Sequence, residues 1–320
     1  MIKEMIVENG TRKEVMFITA TECKQKSNRQ LLNLLRTHDI RNIRECGCAQ
    51  EGCNNRGERG TMRAVLAVGK GHGFRYLCPA HYGLNGLSSY HNGSADVTYI
   101  GKEKNTSLAS TPIGVEFEVV VKGIKDTPLL NIFRTALANY ASARQEEDAT
   151  VHAEFPTGAF VGINSLSKLL DSFEKYGILD ALTNNSECGA HIHAGTNSIE
   201  YVRQNYKALF EPLADHIYNM ESTDRVKFFG STFRMWAEYP DWNEPEKHIN
   251  MFNVQHNCTL EFRLPRCINS KQFLQCVKGW RAVVCEINSA EGSAEQIGKR
   301  LPEVFMKYYN FMNDYYELKW

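Results

Sequence analysis

The sequence predicts an α+β fold, a larger unit of strands and helices preceded by a small α+β unit. Two observations carry that expectation. Short runs that alternate apolar and polar residues, the period of half-buried strands, recur along the 320 residues, with stretches of helical periodicity between them. Three of those runs also set ionisable side chains two residues apart: Glu116 and Glu118 in GVEFEVV, His191 and His193 in ECGAHIHAG, Glu261 and Arg263 in CTLEFRLPR. On a strand, residues i and i+2 share a face. One sheet face would then collect at least three carboxylates, two imidazoles and a guanidinium.

In chain order, KEMIVENGTRKEVMFIT reads as two strands around Asn9-Gly10, a strong hairpin signal, and TECKQKSNRQLLNLLRTH follows with helical periodicity. MRAVLAV and FRYLC flank GKGHG as a second hairpin, and residues 83–110, rich in Gly, Ser and Asn, read as a linker. The texture changes at Thr111. Strands are expected at 114–121, 149–155 and 188–194, and helices at about 127–144, 165–176 and 198–221. HINMFNV and CTLEFRL form a hairpin around Gln255 to Asn257, and helices at about 270–289 and 295–318 follow. The expected division is 1–105 for the front unit, with a cysteine module at about 46–82, and 106–320 for the larger one.

The 42% hydrophobic content supplies an ordinary core, and no run approaches the roughly 18 apolar residues of a membrane span. MIKEMIVENG lacks the apolar run of a signal peptide, so a cytoplasmic protein with reduced thiols is expected. The formal charge of zero hides an asymmetry: residues 1–105 carry 16 Lys and Arg against 10 Asp and Glu. A basic front can meet nucleic acid, but no dense Lys/Arg cluster appears, so that partner is not favoured. The absence of a G-x-x-x-x-G-K-[ST] loop excludes a P-loop nucleotide site on pattern.

Cys48 and Cys53, then Cys78 and His81, bracket the second hairpin. Three thiolates and one imidazole suit tetrahedral zinc, and the hairpin can bring the two halves of the site together. The order is similar to a zinc-ribbon or treble-clef module, with Cys46 as a spare ligand. Four protein ligands leave no open position, so the zinc is expected to be structural. Cys258, Cys267, Cys276 and Cys285 recur every nine residues, which is no ligand spacing, and read as core.

Glu116 and Glu118 would lie roughly 6.5 to 7 Å apart along a strand, a separation better suited to two cations than to chelation of one. In EDATVHAEF, Asp148, Thr150, His152 and Glu154 alternate with apolar residues, making Glu154 a further candidate ligand. Gly189, Ala190 and Ala194 clear space around His191 and His193. Glu261 and Arg263 could neutralise each other, or serve a metal and a phosphate side by side.

These segments, in this order, resemble the amidoligase family, relatives of glutamine synthetase and glutamate–cysteine ligase among the carboxylate–amine ligases. The likeness runs from about Gly114 to Ala290 and rests on G-x-E-x-E at Gly114, Glu116 and Glu118, on CGAHIHAG, and on INMFN followed by TLEFRL at Ile249 to Leu264. It implies a glutamine-synthetase-like catalytic domain, a mainly antiparallel curved sheet with helices on one face, that binds ATP with Mg²⁺ or Mn²⁺. Glu116, Glu118, His191 or His193, and Glu261 would hold the metal, Asn250 would belong to the same cofactor site, and Arg263 would contact the transferring phosphate. The family's D-x-S and Glu-Ser-Pro segment is only approximated by Asp148, Thr150 and Glu154-Phe155-Pro156-Thr157.

The activity so implied is ATP-dependent joining of a carboxylate to an amine, either of them carried on a small molecule or a macromolecule. Arg263, with Arg234, would stabilise the transferred phosphoryl group, and Glu154 or Glu187 would take the proton of the incoming ammonium. Residues 223–247 read as a loop in which Phe228, Phe229, Trp236, Tyr239 and Trp242 either line a pocket or pack. Two rivals remain: a metal-dependent hydrolase, because His-x-His with carboxylates also activates water, and a zinc-module nucleic-acid adaptor with a non-catalytic back domain.

Overall fold

A computed structural model describes residues 1–50, 52–67, 72–82, 99–100, 111–119, 136–137, 153–179, 188–232 and 237–317. Asn9 and Gly10, at φ 51° and 76°, take the left-handed backbone that a two-residue hairpin requires. They turn β1 (Ile2–Glu8) onto β2 (Thr11–Phe17) with Glu8 opposite Thr11. Helices α1 (Ala20–Lys24) and α2 (Asn28–Thr37) follow, each opened by a capping box in which Thr19 and Ser27 exchange hydrogen bonds with Glu22 and Gln30.

The front sheet runs β1-β2-β3-β6-β7, with β3 at Ile40–Arg41, β6 at Arg63–Leu66 and β7 at Phe74–Leu77. The expected second hairpin is thus present, with Arg63 opposite Leu77. Between β3 and β6, β4 (Cys46–Gly47) and β5 (Arg56–Gly57) make a separate small ladder. Arg41 of β3 is buried, with its guanidinium on Glu8 at 3.1 Å and Asp39 at 2.8 Å.

The larger sheet has the order β13-β14-β12-β9-β11-β8, and β10 also pairs with β9. Its strands are β8 (Tyr99–Ile100), β9 (Ile113–Val119), β10 (Ala153–Pro156), β11 (Ala159–Phe160), β12 (Ala190–Gly195), β13 (Phe252–Asn253) and β14 (Thr259–Phe262). All pairings are antiparallel except that of β8 with β11. The sheet therefore includes Tyr99 and Ile100, inside the stretch whose composition reads as linker.

Alternation sorts the two faces. Val115, Phe117, Ile192, Leu260 and Phe262 are all essentially inaccessible and meet α3 (Ile163–Tyr176) and, farther along, α7 (Ser270–Ser289). Phe117 packs edge-on against Phe173 and tilted against Phe273, while Phe262 meets Trp280. Helix α7 also fixes the strands through polar groups. Trp280 Nε1 donates to Leu260 O, Arg281 Nε to Thr111 O, and Asn288 Nδ2 to Gly195 O, all at 3.0 Å.

The expected helix at 198–221 is two helices, α4 (Ile199–Gln204) and α5 (Tyr206–Asn219), broken where the Asn205 side chain donates to Tyr201 O at 2.8 Å. Beyond it, α6 (Ser222–Phe229) occupies ground read as a loop. Phe228 and Phe229 are fully buried against Phe305 of the last helix, α8 (Ala294–Glu317), so they are core and not pocket. Tyr239 and Trp242 pack on each other, Tyr239 donates to Asp215 Oδ1, and Trp242 meets Tyr206. Cys267 and Cys276 are buried as expected, but Cys258 is exposed and Cys285 only half-buried. No described helix is long and apolar enough to cross a membrane.

The expected helix at about 127–144 falls outside the described residues, save for helical, buried Ala136 and Leu137.

Candidate metal centre on the sheet

Antiparallel register brings the predicted residues onto one face. His191 stands opposite Glu116, His193 opposite Glu261, and Glu154 opposite Glu118. Paired residues point the same way, so four carboxyl groups and two imidazoles converge from β10, β9, β12 and β14. The face is deep: Glu261, His191, His193, Glu118 and Glu154 are all buried, and Glu116 is the most open of the acids, its side chain 24% exposed. Asp148, Thr150, His152, Glu187, Arg234 and Trp236 lie outside the described residues.

The contacts divide the labour between the acids. Glu118 Oε1 lies 3.3 Å from His191 Nε2, and its other oxygen accepts from the backbone N–H of Gly189. A carboxylate behind an imidazole sets which ring nitrogen is left bare. His191 Nδ1 is that atom: it has no hydrogen-bond partner, although Glu261 Oε1 and Glu116 Oε2 stand 3.1 and 3.5 Å away. His193 repeats the arrangement, with Nδ1 3.4 Å from Thr259 Oγ1 and Nε2 unpartnered, 3.2 Å from Glu116 Oε1.

Two groups of candidate ligand atoms result, each within a 4.8 Å span: Glu116, Glu154 and His191, and His193, His256 and Glu261. Glu116 and Glu261 straddle them, since each directs one oxygen at His191 and the other at an imidazole of the second group. Glu118, expected as a ligand, stands behind His191 and belongs to neither group.

Charge explains the titration. Burial and Arg263 oppose protonation of His191, but Glu118, Glu116 and Glu261 outweigh them and push its pKa up to about 9. Glu116 is held well below the ordinary carboxylate range by His193 and His191 despite burial, and Glu261 by Arg263 and His191. Burial, then Glu116 and Glu118, push Glu154 up to about 9. That direction favours its protonated form, whereas a base that receives a proton from an ammonium has to be ionised.

Arg263, buried beside these acids, donates Nη1 to Glu261 Oε1 at 2.7 Å and has Nη2 3.4 Å from His248 Nε2. The neutralising contact is thus made, and it orients the guanidinium on the same face. Asn250 is elsewhere. Its amide accepts from Asp241 N–H at 2.9 Å and donates to Glu244 O at 2.8 Å, so it braces the loop before β13 and does not reach the cluster. His256 was not singled out by sequence reasoning, because a polar residue in a hairpin turn carries no periodic signal. Its closeness to Glu261 depends on the β13–β14 register.

In the front unit, Cys48, Cys53, Cys78 and His81 place their ligand atoms within 4.8 Å of one another. His81 Nδ1 lies 3.2 Å from Cys78 Sγ and 3.6 Å from Cys48 Sγ. Asn55, Cys48 and His81 lower the Cys78 thiol to about 6 against the effect of burial. Cys46, the spare ligand of the sequence reading, turns instead to Met62 Sδ at 3.7 Å.

Compared with known proteins, the chain matches no family model and no curated relative.

Proposed function

We propose that this protein is an ATP-dependent carboxylate–amine ligase that forms an amide or isopeptide bond through an acyl phosphate and releases ADP and phosphate. The observation that carries the reading is the single sheet face on which Glu116, Glu154, Glu261, His191 and His193 converge around two unpartnered ring nitrogens, with Arg263 beside them. Buried imidazole nitrogens among carboxylates, once a cation displaces the proton those carboxylates favour, fit divalent cations by donor chemistry. The chain order of the segments, with its likeness to the amidoligases and to glutamine synthetase, gives the reaction class.

Glu116, His191, His193 and Glu261 would hold the cations, whose charge would offset the repulsion between ATP phosphates and a substrate carboxylate, about 4 kcal/mol per pair of unit charges at about 4 Å and an effective dielectric of about 20. Glu118 orients His191. Glu154, once its proton is displaced, adds a ligand oxygen, and Arg263 offers a planar fork toward the transferred group.

A structural zinc held by Cys48, Cys53, Cys78 and His81 forms part of the same proposal, supported by a closed set of three sulfur donors and one nitrogen donor.

The hydrolase reading uses the same imidazoles but gives Arg263 no task beyond its contact with Glu261. The adaptor reading can draw on the basic excess of the front unit, although Lys3, Lys13, Arg56 and Arg59 are paired there with Glu14, Glu8, Glu45 and Glu4, but it gives the buried ionisable face of the larger sheet no task. The deciding measurement is the product made from ATP with Mg²⁺ or Mn²⁺ and a panel of carboxylates and amines, with hydroxylamine as a trap. ADP, phosphate and a hydroxamate are expected; AMP with pyrophosphate would refute γ-phosphoryl transfer.

A further inference from the structure

We infer that His193, His256 and Glu261 form a binding position selective for a first-row transition-metal dication over Mg²⁺, with His256 as its third protein ligand. The inference rests on the reading of this face as a two-cation centre and adds the chemical identity of one cation.

The argument begins with the turn between β13 and β14. His256 is 42% exposed in its side chain, yet the backbone on both sides of it is fixed. Arg203 of α4 donates to Val254 O and to Gln255 O, both at 3.1 Å, Asn253 Oδ1 accepts from Gln255 N–H at 2.8 Å, and Cys258 O accepts from Thr196 N–H at 3.0 Å. A turn so pinned delivers its one imidazole to a set place. Nε2 of His256 lies 3.5 Å from Glu261 Oε2, and its ring meets that of His193 edge-on with centroids 4.9 Å apart. His193, buried, contributes the unpartnered Nε2.

Two imidazoles and one carboxylate are a donor set of intermediate softness. Nitrogen donors favour Mn²⁺, Co²⁺ and Zn²⁺ in rising order, whereas Mg²⁺ demands oxygen and gives up water reluctantly. The neighbouring group of Glu116, Glu154 and His191 offers two carboxyl groups to one imidazole and suits a harder ion. The two positions therefore differ in the metal they prefer.

Titration of the full-length protein carrying one zinc per chain, the content of the cysteine cluster alone, with Co²⁺ in excess Mg²⁺, followed by ligand-field absorption, tests this without reference to turnover. The expected result is Co²⁺ bound with a nitrogen–oxygen spectrum that Mg²⁺ does not displace, and His256→Ala, at an exposed position, should weaken it about 10-fold or more. Circular dichroism of the variant confirms folding. Equal Co²⁺ affinity in parent and His256→Ala, displacement by equimolar Mg²⁺, or a purely thiolate-type spectrum from exchange at the cysteine cluster would each overturn the inference. Absence of ADP formation would count against the ligase reading and leave this result standing.

Discussion

His191 stands directly opposite Glu116 in the β9–β12 register, yet its Nε2 is satisfied by Glu118, two residues farther along β9. One strand therefore supplies both a candidate ligand oxygen and the carboxylate that aims the neighbouring imidazole.

Glu118→Gln tests that relationship. A glutamine has one acceptor oxygen for the two donors, Gly189 N–H and His191, so the imidazole loses its fixed orientation. Mn²⁺ affinity, measured by calorimetry, should fall about 10- to 100-fold in a folded protein. Unchanged affinity would remove Glu118 from the centre.

Arg263→Lys retains the charge beside Glu261 and loses the planar fork. Divalent binding should change little, while ADP formation at saturating ATP should drop by about 100-fold, the scale of losing one aimed donor. Equal rates would leave Arg263 as no more than the counter-charge of Glu261.

Protein purified without chelator should contain zinc at the cysteine cluster, and Cys53→Ser should lose it by elemental analysis. Because structural zinc contributes directly to folding, hydrogen exchange in β6 and β7 should accelerate more than in β9 or β12. Zinc-free parent protein with normal front-sheet protection would contradict the assignment.

Glu8 gives a pH dependence with a definite sign. The Arg41 guanidinium, bonded to it, holds its carboxyl at about 2, below its ordinary 4.5. A depressed carboxylate stabilises the fold above the unfolded-state value and loses that effect as pH falls toward about 2. The stability gap between parent and Glu8→Gln in urea should therefore be full at pH 6 and smaller at pH 3. A gap that does not change with pH would detach the stabilisation from the charge.

Gly298→Ala probes the closest approach of α5 and α8. An added Cβ would come within 2.9 Å of Leu209 O and closer still to Ala208 O, both backbone atoms. Separating the two helices should cost about 2 kcal/mol, read as a lower Tm; an unchanged Tm would mean that the helices yield freely.

Local chemistry made much of this legible in the chain. The Asn9-Gly10 hairpin, the capped helix at Asn28–Thr37, the helix at Ser270–Ser289 and the three polar-faced strands follow from period and turn residues within a few positions of each other. What needed the structure was register. Glu118 differs from Glu116 only by which neighbour β12 and β10 set across from it, and His256 reaches Glu261 only because β13 and β14 pair as they do. Asn250 likewise depends on register: it shares the parity of Phe252, which stands opposite Phe262, and backbone groups take its amide. At the break Asn205 leaves helical geometry, with φ −114° and ψ 17°, while its side chain shares the Tyr201 carbonyl with its own backbone N–H, a local arrangement that average propensity does not register.

The front and back units divided so plainly by composition share one continuous apolar interior. Leu31, Leu32 and Leu35 of α2 belong to the same cluster as Leu166, Leu169 and Leu170 of α3, and Tyr176 at the end of α3 donates its hydroxyl to Ala67 O, next to β6. A chain nicked by a protease anywhere between Tyr82 and Tyr99 should thus elute as a single particle, its two fragments parting only in denaturant. An expression clone begun after that point would present the bared flank of α3 to water and aggregate.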